Sequence, residues 1–172
     1  MKNWTLKSVV AAVVMMACIN SSAQITFFEK YHGSKTAIYV YLNKTMIQAV
    51  GTKNFSEDQE VNDVLNGIIQ KVNTMQVLES KDSLTITQMN NDFANEVKEK
   101  NYELIMKSND EDGKLTLYSR ETKKETYLLI EGIKEKSTNI IGMVIDGKLS
   151  AKELARLVDL EDRKVETLNI EH

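Results

Sequence analysis

NYELIMKSNDEDGKLTLYSRETKKETYLLIEGIKEKSTNIIGMVIDG, residues 101–147, is the stretch on which the fold turns. Its apolar residues fall in four period-two runs, Tyr102 to Met106, Leu115 to Tyr118, Tyr127 to Ile133 and Ile140 to Ile145. Such alternation puts successive side chains on opposite sides of a strand. The connectors are short and polar. Asp112-Gly113 carries left-handed turn chemistry, while Glu121 to Glu125 and Lys134 to Ser137 read as charged hairpin tips. Four strands joined this tightly predict an antiparallel meander.

Upstream the period changes to that of helices. Ser56 with Gln59 forms a capping box, Glu57 and Asp58 suit the positive end of the helix dipole, and Val61, Val64, Leu65, Ile68, Ile69 and Val72 share one face. Met75 to Leu78 reads as a short strand, and Ile86, Met89, Phe93 and Val97 mark a further amphipathic helix ending near Asn101. Before them, Phe27, Phe28 and Tyr31 predict one helical turn stopped by Gly33. Ala37 to Leu42 is a strand, after which Asn43 caps a short helix through Met46, Ile47 and Val50. After Asp146-Gly147, a second capping box at Ser150 and Glu153 opens a helix with Leu154, Leu157 and Val158 inward, and the last residues are charged. The expected fold is α+β, a two-layer sandwich with helices on one face of a mostly antiparallel sheet. The other face is then wet or packed on a partner.

The first 23 residues read as an export signal. Lys2 and Lys7 precede or flank an apolar run from Val9 to Ile19, and Ser21-Ser22-Ala23 offers small residues to a peptidase before Gln24. The run is shorter than the ~20 residues a membrane-crossing helix needs. Cys18, the single cysteine, offers an alternative end to the signal, because a small residue, Ala17, precedes it as in lipid-modified cysteines. Met15 and Met16 depart from that pattern, so cleavage before Gln24 and lipidation of Cys18 stand as alternatives. Residues 24–172 are expected to form a single domain of 149 residues, which is enough for one core. Cleavage after Ala23 would leave it without cysteine, so packing rather than disulfides must hold it.

Charge narrows the partners. Without Lys2 and Lys7, 20 basic residues face 25 acids, a net charge of −5 with the two signs intermixed, which argues against nucleic acid. Catalytic constellations fare no better. The part after Ala23 holds only His32 and His172, too few for a nucleophile–base pair or a zinc site with ligand spacing. Ser108 to Gly113 resembles a calcium loop at Asp110, Asp112 and Gly113. Ser108 replaces its first carboxylate and Ser119 its bidentate one, so a hairpin turn is the better reading. Glycines sit at turns and helix ends, with no phosphate loop. The lone Trp4 lies in the signal, which weakens a sugar-platform role, and Tyr118 and Tyr127 are either exposed on the sheet or packed within it. No catalytic, cofactor-binding or metal residue is nominated, and no cofactor is expected.

The order of elements nonetheless resembles a known family. The marks are Ala37-Ile38-Tyr39-Val40-Tyr41 followed by Lys44-Thr45-Met46-Ile47, then Asn101-Tyr102-Glu103-Leu104-Ile105-Met106 and Leu115-Thr116-Leu117-Tyr118. Tyr127-Leu128-Leu129-Ile130 and Ile145-Asp146-Gly147-Lys148-Leu149 complete them. This is similar to the exported Bacteroidota family catalogued as domain of unknown function 4252, over nearly all of residues 24–172. The resemblance implies a cell-envelope address, with lipoproteins among the members, and no established activity. No residue role carries over from it. Two readings remain. The first is a non-enzymatic envelope protein, periplasmic or at the outer membrane, that binds a protein or glycan through its sheet face or strand edge. The alternative is a hydrolase of envelope polymers working with carboxylates alone, which needs two acids in one cleft.

Overall fold

The computed structural model describes residues 24–50, 59–109, 111 and 113–155. A 3₁₀ helix, Thr26–Tyr31, comes first and is followed by Gly33 at φ +77°. Strand β1, Ala37–Asn43, runs into helix α1, Lys44–Val50, where the Asn43 side chain accepts the Met46 N–H at 3.0 Å as the expected cap. Helix α2 spans Gln59–Lys71, and its expected cap at Ser56 lies outside the described residues. Strand β2, Val72–Ser80, is longer than Met75 to Leu78 and takes Val72 away from the helix. Helix α3, Ser83–Glu99, is capped by Asp82, whose carboxylate accepts from both the N–H and the hydroxyl of Thr85. It ends before Asn101, which sits in the left-handed region at φ +54°. Strands β3, Glu103–Asn109, β4, Lys114–Glu121, β5, Glu125–Lys134, and β6, Ser137–Asp146, follow, and residues 151–155 are helical.

All six strands form one open sheet in the order β1-β2-β6-β5-β4-β3, with every neighbouring pair antiparallel. The α+β class holds. Helix α3 carries the chain from β2 to the far edge at β3. Its 17 residues extend about 25 Å at ~1.5 Å per residue. Four strand spacings of ~4.8 Å need roughly 19 Å, so the helix suffices to cross the sheet.

The layering differs from the expected two-layer sandwich. Buried side chains divide by strand parity into two clusters. On one face Leu78, Leu129, Ile140 and Val144 pack with Ile25, Phe27 and Phe28 of the 3₁₀ segment and with Met89 and Phe93 of α3. On the other, Leu117, Leu128, Met143 and Ile145 pack with Ile47 of α1, Ile68 of α2 and Leu154 of the 151–155 helix. Helices therefore lie against both faces. The physical reason is that β5 and β6 are apolar on both sides, as Leu128-Leu129-Ile130 and Met143-Val144-Ile145 show, and both sides need cover. Gly142 makes room for the first cluster, since a Cβ there would stand 2.7 Å from Phe28 Cε2 and 2.8 Å from Ile25 Cδ1.

Candidate functional site

Three places on the described surface combine polar or unpaired groups with access, and the outer edge of β1 is the most distinctive. Strand β1 pairs with β2 along its whole length, Ala37 opposite Ser80 to Asn43 opposite Thr74, with no register shift. Among the described residues no strand pairs with its other side. Its outward N–H and C=O groups are therefore open to another strand. The side chains agree, for none of the seven residues is charged. Ile38 is 62% exposed and Val40 39%. Met46, at the start of α1, is also exposed, so three of the six exposed large apolar side chains described lie within nine residues. The opposite edge is protected differently. Strand β3 also exposes Leu104 and Ile105, but it carries a bulge between Leu104 and Met106 and the charges of Glu103 and Lys107, features that discourage strand addition.

The second place is a shallow groove of about 380 Å³ between the 3₁₀ segment and α3, lined by Lys30, Tyr31, Thr36, Thr85, Asn91 and Asp92 among others. Its single carboxylate is already engaged. Asp92 accepts from Lys30 Nζ at 2.7 Å and from the Tyr31 hydroxyl at 2.9 Å. Burial, and then that hydrogen bond, push the Tyr31 phenol well above its usual range. Thr36 and Thr85 hydroxyls meet at 2.7 Å, and Thr85 in turn donates to Asp82. The lining can hydrogen-bond a polar guest, yet it offers no second acid for acid–base hydrolysis.

The third is a polar cluster under the end of α3. Arg120 stacks on the Tyr127 ring, its guanidinium carbon 3.9 Å from the centroid, and lies 5.3 Å from that of Tyr102. The Tyr127 hydroxyl donates to Glu125 at 2.7 Å, whereas the Tyr102 hydroxyl and Arg120 Nε are buried without a hydrogen-bond partner. Burial pushes Tyr102 up to about 12 and raises Glu96, which Lys100 and Arg120 pull back in part. A second acid, Glu131 on β5, is 7% exposed and also raised by burial. Neither raised acid lines the groove. Tyr102 and Glu96 are buried, whereas Arg120, Glu125 and Tyr127 remain half-buried at the rim of the cluster.

The residues weighed from sequence fall as follows. Tyr118 and Tyr127 are packed rather than free, Tyr118 edge-on to Phe93 with centroids 5.7 Å apart. His32 is exposed, and its ring meets the edge of Tyr39 at 6.1 Å. Strands β3 and β4 pair from Asn109 opposite Lys114, while Asp110 and Asp112 lie outside the described residues. So do Cys18 and His172. Among the described residues no three His, Cys, Asp or Glu side chains gather as a metal site, and no helix is long and apolar enough to cross a membrane. Sequence reasoning missed Gln76, 1% exposed, whose side chain accepts the Ile25 N–H at 2.9 Å and donates to the Tyr39 hydroxyl at 3.2 Å. The only signal was its place in alternation with Val77 and Leu78.

A family model described as "Domain of unknown function (DUF4252)" matches residues 31–157. The chain belongs to the DUF4252 family. That match takes in β1 and its open edge, the groove except Lys30, and the Arg120 cluster, while Ile25 to Lys30 precede the matched part of this DUF4252 chain. No curated protein and no solved structure matches it.

Proposed function

We propose that this DUF4252 protein is exported, resides in the cell envelope in the periplasm or at the outer membrane, and serves there as a non-enzymatic interaction module. Its contact surface is the outer edge of β1. One observation carries the reading: the edge keeps an unbroken register, bears no charge, exposes Ile38 and Val40 and pairs with no other strand among the described residues, where the other edge is bulged and charged. A soluble domain that keeps such a strand uncovered risks aggregation, so a partner that covers it gives the sequence a reason. Export is supported by the 1–23 signal pattern. It fits that Ile25, two residues after Ala23, is already a core residue, so the core begins just past the expected cleavage site. Lipidation at Cys18 would place the anchor a few residues ahead of Ile25 in the sequence.

The test is a photo-cross-linking amino acid placed at position 40, and separately at position 107 on β3, in protein expressed in its own cells. The reading expects a discrete envelope cross-link from 40 and none from 107. Equal labelling at both positions, or none at 40, would refute it.

A further inference from the structure

We infer that the strand taken up by the β1 edge belongs to a second copy of this chain, paired antiparallel about a two-fold axis through Val40. This rests on the edge reading and names its occupant. The sequence of β1 is self-complementary in that register. Val40 faces Val40 of the second copy, Ile38 faces Leu42, Tyr39 faces Tyr41 and Ala37 faces Asn43. Antiparallel partners lie on the same side of a sheet, so Ile38, Val40 and Leu42 stay on the α1 face while the tyrosines stay on the α3 face. Every pair is β-branched, aliphatic or aromatic except the terminal Ala–Asn pair, the composition that favours cross-strand contact.

Charge makes the same choice. A homotypic antiparallel pair sets like residues close to one another around its axis, so a charged edge repels its own copy. β1 has no charge to repel. The two-fold also brings Ile38 of each copy beside the Leu42 to Met46 end of the other, which gathers the exposed Ile38, Val40 and Met46 into one contact. Pairing β1 with β3 of another copy would be heterologous and would propagate into an open array. The bulge and charges of β3 oppose that. Pairing at β1 closes after two copies and continues the six-stranded sheet into a twelve-stranded one. One seven-residue edge lies at the small end of specific interfaces, so association in the micromolar range is expected.

The test uses the chain from Gln24 to His172, which has no cysteine. Sedimentation equilibrium should show a monomer–dimer equilibrium, and Val40→Lys should raise the dissociation constant by at least about tenfold. Ile38→Lys, at a more exposed position, serves as the second variant should Val40→Lys misfold. In register, Val40→Cys sits on the axis and a short thiol cross-linker should join two copies. Ile38→Cys should not self-link, its two sulfurs being four residues or roughly 13 Å apart along the strands. A monomer at all concentrations overturns the second copy but leaves the edge reading standing if position 40 still cross-links to another envelope protein. Open-ended oligomers, or self-linking through Ile38→Cys and not Val40→Cys, overturn the two-fold register.

Discussion

Gly142→Ala probes whether the segment just after the expected cleavage site is part of the core. The new Cβ would sit 2.7 Å from Phe28 Cε2, 3.0 Å from Phe28 Cζ and 2.8 Å from Ile25 Cδ1. Carbon atoms prefer about 3.5–4.0 Å, so these groups must withdraw by roughly 1 Å. Ile25 can turn its terminal methyl. Phe28 has less freedom, being fully buried, with its ring centroid 4.2 Å from that of Phe27. Overpacking of this kind costs about 1–3 kcal/mol. Replacing a strand glycine returns about 0.5–1 kcal/mol, leaving a net loss of up to about 2.5 kcal/mol, centred on about 1 kcal/mol. For a domain of this size that lowers Tm by roughly 2–4 °C at the centre and by up to about 10 °C. Gly132→Ala is the internal control, since its Cβ would meet nothing nearer than 3.8 Å. It should be neutral or slightly stabilising. Thermal melts of the chain from Gln24, followed by circular dichroism, read both. If Gly142→Ala melts at or above wild type while Gly132→Ala behaves as expected, the 3₁₀ segment does not pack on β6.

Other groups give independent checks. Gln76→Leu removes the acceptor of the Ile25 N–H and a donor to Tyr39, and should destabilise by about 1–3 kcal/mol in urea melts; an unchanged midpoint would mean the buried amide is dispensable. Glu131 is raised by burial above its ordinary 4.5, so its charged form is penalised in the fold at neutral pH. Glu131→Gln should therefore raise Tm at pH 7, and the advantage should fade as the pH falls below the ordinary 4.5, where the carboxyl is protonated folded and unfolded alike. Glu153 has the opposite sign. Its hydrogen bond from Lys71, then that from the Ser150 backbone, lower it from 4.5 to about 2, so the stability it contributes is full above 4.5 and lost as pH falls through 2. Glu153→Gln should flatten the acid limb of the stability profile in that window. An identical limb would show that the pair contributes nothing.

How much the sequence revealed depended on whether burial followed hydrophobicity. Strand β1 with its Asn43 cap, the 3₁₀ turn and the strands from Tyr102 onward were legible, because apolar periodicity and turn residues agreed there. Apolar alternation marks only Met75 to Leu78 of strand β2, because the buried positions of the strand include Thr74, Gln76 and Ser80, which period-two hydrophobicity does not register. Val72 has helical spacing from Ile68, yet it opens the strand with a bulge before Thr74. The second helical cover was visible in principle. Unbroken runs such as Leu128-Leu129-Ile130 signal strands buried on both faces, and alternation alone does not distinguish the two cases. The candidate edge could not be read, since strand order places β2 between β1 and β6 and only that order leaves β1 outermost. The Arg120–Tyr127 stack likewise depends on the β4–β5 register that sets the two residues opposite each other.

Hydrogen–deuterium exchange across residues 37–43 tests most directly whether the β1 edge is the surface by which the protein acts. The amides should be compared in dilute purified protein and in protein held in its own envelope fraction. The account predicts that alternate β1 amides, open in the dilute sample, become protected in the envelope while those of β3 do not change. Protection that appears elsewhere with β1 still exchanging freely would contradict it.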